Sequence, residues 1–570
     1  MELSHNAEFV LKARYLLRDE NRRTIETPQE MFERVAGFVA GAEEMYGGER
    51  RYWQEKFLTL MTDLRFLPNS PAMMNAGKAL AQLAACFVLP VEDSMESIFG
   101  TLKNAALILQ SGGGTGFSFS HLRPKEDIVR STGGIASGPV SFMRVFNTAT
   151  GVIKQGGARR GANMGILRVD HPDILDFIRI KRREGELENF NISVAVTDVF
   201  MEALRSDSEY QLLNPRSHEA HIKIRARVVF DEIVASAWET GDPGIVFIDA
   251  INRANPTPLM GPMESTNPCG EQPLLPYEAC VLGSINVGKY VRKEGRGHAI
   301  DYESLSDDIR TAVRFLDDSI DVNRYPLPQI ETAHKANRKI GLGVMGWADM
   351  LIRLGIPYNS REAFACAGDF MRFFRKAARR SSSELAAKRG VFPNFPGSVY
   401  GKEGGSGLRN ATTTTIAPTG TLSIIADCSS GIEPFFALAY KRLIMDTELA
   451  ELNRLFFDIA REAGFYSDGL RDRILRQGSA RGIAEVPRKV RRLFKTAHEI
   501  RYEDHIEMQA RFQEHTDNAV SKTINMSHRA SKEDVAHAFL LAYQKGCKGI
   551  TVFRYGTRKR GTLVRFADAD

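Results

Sequence analysis

Residues 411–436, ATTTTIAPTGTLSIIADCSSGIEPFF, open with a β-branched run suited to a strand, turn through Pro418-Thr419-Gly420-Thr421 and then enter a helix. Strand, short loop and helix in that order form the repeating unit of an α/β fold. The same alternation extends in both directions. Short apolar stretches (ACFVLPV, GFSFS, FNISVAV, GIVFID, KGITVF) are separated by helical patterns such as Ser94 to Gln110 and Ile174 to Arg183. The expectation from about Phe66 onward is therefore an α/β architecture with parallel strands. The first ~65 residues read as helical. Within them Thr27-Pro28-Gln29-Glu30 places a capping threonine, a first-turn proline and an acidic third residue ahead of an amphipathic run.

The chain has 570 residues, 43% of them hydrophobic and 26% charged, with a mean hydropathy of -0.25. This composition excludes wholesale disorder and allows a large core. No window approaches the ~20 uninterrupted apolar residues of a membrane span, and the N-terminus lacks an export pattern. A cytoplasmic protein without membrane partners is expected. The net charge of +6 is too diffuse for a nucleic-acid footprint. Six scattered cysteines with no Cys-x-x-Cys pair argue against a disulfide scaffold and structural zinc, and no metal site is expected.

Ser265-Thr266-Asn267-Pro268-Cys269-Gly270-Glu271-Gln272-Pro273 is the richest stretch for chemistry. On an extended backbone Asn267, Cys269 and Glu271 would project to one side. An amide, a thiol and a carboxylate together supply a hydrogen-bond clamp, a redox-active or nucleophilic sulfur and a general base. The plain alternative is a turn with a buried cysteine. Cys86 and Cys280 each begin a strand-like run, where a cysteine is commonly core; meeting in space, the two could deliver two electrons and close to a disulfide. The small-residue loop 418–422 is a candidate phosphate cradle. GGGTG at 112–116 matches neither a P-loop nor a dinucleotide-binding fingerprint. The loop KQGGARRGAN at 154–163 suits grip on a phosphate or base, or is simply a solvated loop.

In order along the chain, NSPAMMNAG (69–77), ACFVLPVEDS (85–94), SGGGTGFSFSHLRP (111–124), STGGIASGPVSFM (131–143), KQGGARRGANMG (154–165), NPCGE (267–271), EACVLGSIN (278–286), KIGLGVMGWAD (339–349) and APTGTLSIIADCSSGIEP (417–434) resemble the large subunit of ribonucleotide reductases, specifically the adenosylcobalamin-dependent class II enzymes. The resemblance implies a ten-stranded α/β barrel of two five-stranded parallel halves with a central finger loop near 265–275. The helical region would span 1–66, the barrel 67–555 and a surface tail 556–570. It further implies that Cys269 becomes a thiyl radical, Glu271 acts as general base, Asn267 holds the substrate, and Cys86 with Cys280 forms the reducing pair. Substrate contacts implied are Ser70, Ala85, Gly114 and Pro418, Thr419, Gly420, Thr421 and Leu422. Asp93, Ser94 and Arg123 match positions for a deoxynucleotide effector at a homodimer interface, with Gln155 and Arg159 in the loop relaying its identity.

Within that family, enzymes fed by a separate radical-bearing subunit carry a Tyr-Tyr pair where this chain has Phe553-Arg554. The glycyl-radical motif of the anaerobic class is also missing. The resemblance therefore points to adenosylcobalamin as the radical source and to ribonucleoside diphosphates as substrates. Alternatives are a different radical donor on the same fold, or an inert nucleotide-binding relative. Two departures stand out: there is no room for an N-terminal ATP-binding regulatory cone, and no Cys-x-x-Cys follows Cys547. Either the sequence is short, or reducing equivalents come from another chain or from a thioredoxin-like partner.

Overall fold

Thr27 caps the second helix as its sequence requires: its hydroxyl accepts the Glu30 N–H at 3.3 Å while the Glu30 carboxylate takes the Thr27 N–H at 2.7 Å. The computed structural model describes residues 1–129, 133–155, 159–402, 407–444, 447–557 and 563–564. Helices α1 (His5–Arg14), α2 (Pro28–Val39) and α3 (Arg50–Thr62) form the expected helical start. The α2 face of Met31, Phe32, Val35, Ala36 and Val39 is buried.

Five parallel strands make the first half of the barrel: β1 (Cys86–Leu89), β2 (Gly114–Ser118), β3 (Asn163–Arg168), β4 (Phe190–Val196) and β5 (Gly244–Phe247). In the second half β6 (Ala279–Asn286) runs parallel to β7 (Ile340–Met345). The parallel bridge Leu342↔Thr414 ties β7 to the extended segment 412–416, and Ile416↔Val520 ties that segment to the chain entering β8 (Thr523–Met526). Strand β8 then pairs in parallel with β9 (Gly549–Arg554). Antiparallel contacts join the halves at both seams, Ile245↔Ile550 and Cys280↔Cys86. The ring closes at ten strands, as expected.

Strand β6 is buried along its whole length, which is why it reads as a nearly continuous apolar run rather than an alternating one. The TTTT segment is less regular than its β-branched residues suggest. Asp517 accepts the N–H groups of Thr413 and Thr414 and the Thr413 hydroxyl at 3.0, 3.3 and 2.8 Å, replacing ladder bonds with side-chain ones. An additional short strand, Phe66–Pro68, pairs antiparallel with β6 and carries the helical region into the barrel.

Helix Met95–Gln110 matches its expected span, and Ile174–Arg179 continues as a 3₁₀ turn. Within the expected loop Gly401 to Leu408, residues 403–406 lie outside the described residues. Of the expected tail, Leu563–Val564 pair with Lys441 and Arg442, and 558–562 and 565–570 lie outside the described residues.

Candidate active site

The finger is a hairpin rather than an extended strand. Ser265–Thr266 pair antiparallel with Pro273–Leu274, and the turn between them closes through Gly270 N–H to the Asn267 carbonyl at 3.0 Å. Proline at the second turn position and Gly270 at φ +81° suit this geometry. Asn267 locks it further, its Oδ1 accepting the Gln272 N–H at 3.0 Å. The expectation that Asn267, Cys269 and Glu271 converge by strand alternation is thus corrected. They share the turn because the chain reverses there, with Asn267 and Glu271 buried and Cys269 exposed at the tip.

Both barrel halves grip the finger. A Cβ at Gly116 of β2 would lie 1.7 Å from the Thr266 carbonyl oxygen, and one at Gly114 would lie 3.0 Å from the Pro268 ring, so these glycines let the hairpin pass. Asn191 of β4 donates to the Pro268 carbonyl at 2.8 Å. From the second half, the Thr415 hydroxyl and the Ala519 N–H donate to the Glu271 carbonyl at 2.9 and 3.0 Å. Sequence reasoning missed Asn191 and Thr415; the visible signal was a lone amide inside the apolar run FNISVAV.

Cys86 and Cys280 face each other as register partners across the β1–β6 seam. The Asn267 Nδ2–H group donates to the Cys86 sulfur at 3.1 Å, tying the finger to the pair. Burial pushes the Cys86 thiol well up, and Glu271, Cys280 and Cys269 add to the rise, so all four groups share one electrostatic neighbourhood. Burial likewise raises Cys280. Both thiols are protonated at neutral pH and hold the hydrogens that a two-electron reduction needs. Glu271, 3% exposed, has its carboxyl raised to about 7 by burial, partly offset by Asn267. Its Oε2 has no hydrogen-bond partner. A buried carboxyl poised near neutrality can both take and return a proton.

The other expected substrate residues surround this centre. The Ala85 N–H donates to the Cys280 carbonyl at 3.2 Å, and the Ala85 carbonyl accepts the Gly114 N–H at 2.8 Å. Ser70 begins a short helix and shares a 2.8 Å hydrogen bond with the hydroxyl of Tyr15, the residue that follows α1. In the loop 418–422, Thr419 takes φ +51° and its hydroxyl accepts the Gly431 N–H at 2.7 Å, while Arg14 of α1 donates to the Thr421 hydroxyl at 3.2 Å. Pro418 and Gly420 are exposed and Leu422 is buried. Tyr15 and Arg14 gave no sequence signal, since they sit at the end of an unremarkable amphipathic helix.

Asp93, Ser94 and Arg123 form a separate group. The Arg123 Nε–H donates to the Asp93 carboxylate at 2.8 Å, and Ser94 caps helix Met95–Gln110. Beside them His121 stands between Glu92 and Glu264 at 2.9 Å each, which holds its imidazole up to about 9. Gln155 and Arg159 belong to a short antiparallel hairpin, and their side chains lie outside the described residues.

The description "Ribonucleotide reductase, barrel domain" matches residues 84–553, and "Ribonucleotide reductase, all-alpha domain" matches residues 1–81. The chain belongs to the ribonucleotide reductase family. It is 49% identical to the vitamin B12-dependent ribonucleoside-diphosphate reductase of Thermoplasma acidophilum, over 97% of this chain and 79% of the relative. It is also 49% identical to the enzyme of that name from Mycobacterium tuberculosis, over 100% of this chain and 80% of the relative. In three dimensions it resembles the Actinobacillus ureae class Id ribonucleotide reductase alpha subunit, with a TM-score of 0.81 at 22% identity over 100% of this chain and 99% of the other. That likeness carries the family barrel.

Proposed function

We propose that the chain reduces ribonucleoside diphosphates to 2′-deoxyribonucleoside diphosphates by thiyl-radical chemistry, with adenosylcobalamin as its radical source. One observation carries the residue roles: the Asn267–Glu271 turn, with Cys269 at its tip, is tied through Asn267 to a thiol pair in register. In this reading the Cys269 sulfur removes the ribose 3′ hydrogen. Glu271 takes the 3′-hydroxyl proton, a task that suits a carboxyl titrating near 7. Asn267 orients the sugar, and Cys86 and Cys280 supply two electrons as the 2′-hydroxyl leaves as water, ending as a disulfide. Ser70, Ala85, Gly114 and the loop Pro418 to Leu422 hold the substrate, the loop cradling its phosphates.

A cavity of about 1380 Å³ runs from Ser423 and Cys428 past Phe436 and Tyr440 to Asn525 and Phe553. Its size and mixed polar and apolar wall suit a corrin, and Phe436, Tyr440, Asn525 and Phe553 would hold it. Held there, adenosylcobalamin would supply the radical equivalent that the Cys269 thiol needs. Asp93, Ser94, Arg123, Gln155 and Arg159 are assigned to a deoxynucleotide effector at a homodimer interface, a thioredoxin-like dithiol to re-reduction, and the cytoplasm to the enzyme. Among the described residues no helix is long and apolar enough to cross a membrane.

The test is anaerobic incubation with adenosylcobalamin, dithiothreitol and each ribonucleoside diphosphate, scoring deoxynucleotide. Wild type makes product only with the coenzyme, and Cys269→Ser makes none while still binding nucleotide. Product from Cys269→Ser, or from wild type without the coenzyme, overturns the reading.

A further inference from the structure

Strand β7 lies beside β6 in parallel register, Val281↔Ile340, so Lys339 stands next to Cys280. Glu278 lies two residues before Cys280, just ahead of β6, and its carboxylate acts on the Cys280 thiol. Lys339 is 0% exposed and donates to the Glu278 carboxylate at 2.6 Å. Glu278 is fixed by two further donors, the Leu275 N–H at 2.7 Å and the Asn337 amide at 2.5 Å. A sealed ion pair beside one member of a dithiol is costly to build, and its alignment with that member alone makes the two sulfurs inequivalent.

Among the described residues, no cation figures among the groups that act most strongly on Cys86. Its named neighbours are the Asn267 amide and the acidic groups Glu271, Cys280 and Cys269. The groups acting on Cys280, after burial, are Lys339, Glu278 and Glu271, and Lys339 is the one that favours its thiolate. Cys86 also keeps slightly more exposure, 3% against 0%.

We propose that Lys339, set in place by Glu278, is a positioning residue that makes Cys280 the leaving sulfur when the active-site disulfide is re-reduced. This rests on the reading of Cys86 and Cys280 as the reducing pair. A thiolate of an external dithiol attacks the Cys86 sulfur, and a bond forms between those two sulfurs. The Cys86–Cys280 bond breaks, and its electron pair leaves on Cys280 beside the Lys339 ammonium, where the thiolate then takes a proton. The second thiol of the reductant displaces Cys86, which regains its own proton, and the reductant departs as a disulfide. Two electrons have passed from dithiol to enzyme.

The test needs no coenzyme. The full chain is oxidised with diamide, the Cys86–Cys280 bond is verified by peptide mass spectrometry, and its reduction by dithiothreitol is timed. Lys339→Met should slow reduction by roughly tenfold or more, because the leaving thiolate loses its cation, and Lys339→Arg should restore most of the rate. Glu278→Gln should act in the opposite sense and speed the step, since the ammonium is then no longer neutralised. A merely structural pair would slow in both variants. Quenching wild type during reduction by 2-mercaptoethanol should place the mixed disulfide on Cys86. An adduct on Cys280, or equal slowing by Lys339→Met and Glu278→Gln, overturns the proposal. Failure of wild type to form the Cys86–Cys280 bond at all would instead overturn the dithiol reading beneath it, and the proposal with it.

Discussion

At Glu271 the requirements of folding and chemistry oppose each other. Its carboxyl is raised from 4.5 to about 7 chiefly by burial, so the native state binds the proton more tightly than the unfolded chain. For a carboxyl shifted upward, the unfolded state holds fewer protons between those two values. Stability therefore falls as pH rises from 4.5 to 7, and the loss is complete above 7. At 1.36 kcal/mol per unit the ceiling is about 3 kcal/mol. Glu271→Gln should accordingly raise the unfolding free energy at pH 8 by up to about 3 kcal/mol, with little gain near pH 4, while abolishing turnover. Urea melts at the two pH values check the sign. In wild type, turnover should fall as pH drops below about 7, when the base becomes protonated. The residue types in NPCGE were legible from sequence because amide, thiol and acid define their own chemistry. The value near 7 was not, because it comes from the barrel wall closing over the carboxyl.

At the scale of elements, the barrel makes room for the finger by omitting side chains. Gly116 and Gly270 look alike in the sequence as punctuation, yet their environments differ. A Cβ at Gly116 would meet the Thr266 carbonyl oxygen at 1.7 Å, a backbone atom that the hairpin ladder holds in place. A Cβ at Gly270 meets nothing within 4 Å, and the cost there is only its φ of +81°. Gly116→Ala should destabilise by about 3 kcal/mol or more and displace the finger from the thiol pair. Gly270→Ala should cost about 1 kcal/mol. Denaturant melts rank the two. Loss of protection of the Gln272 amide in hydrogen exchange of Gly116→Ala would show that the finger has moved. Helix Met95–Gln110 and strands such as β6 were readable because a cap or an apolar run defines them locally. The finger hairpin and the irregular 412–416 segment were not, since Asn191, Thr415 and Asp517 shape them from distant parts of the chain.

Across the whole molecule, a buried charge network fastens the helical region to the barrel. Glu43, in the 3₁₀ turn after α2, is 0% exposed and is gripped by Arg314 at 2.5 Å and Arg389 at 2.7 Å. Arg389 continues to Asp318 and Asp317 at 2.5 and 3.1 Å, and Arg338, just ahead of β7, reaches Asp317 and Asp321 at 2.8 and 2.7 Å. Burial pushes the Asp318 carboxyl well up, a rise that Arg389 opposes and the nearby Glu43 reinforces. Along the sequence Arg314, Asp317, Asp318, Asp321 and Arg389 read as ordinary polar faces of helices 302–322 and 361–389, because partners such as Glu43 lie far away in the chain. Arg389→Met leaves Glu43 and Asp317 without one of their cations in a dry interior, and should cost about 3–5 kcal/mol. Removing the exposed Arg50–Glu44 pair, with side chains 48% and 62% accessible, should cost under about 1 kcal/mol. The effect of Arg389→Met should also reach the site, because α1 delivers Tyr15 to Ser70 and Arg14 to Thr421 and packs within the same helical region. Loosening that region should raise KM for the nucleotide more than it lowers kcat, as steady-state kinetics below the melting temperature would measure. A fall in kcat at unchanged KM would mean that the network supports the finger instead of the substrate loop.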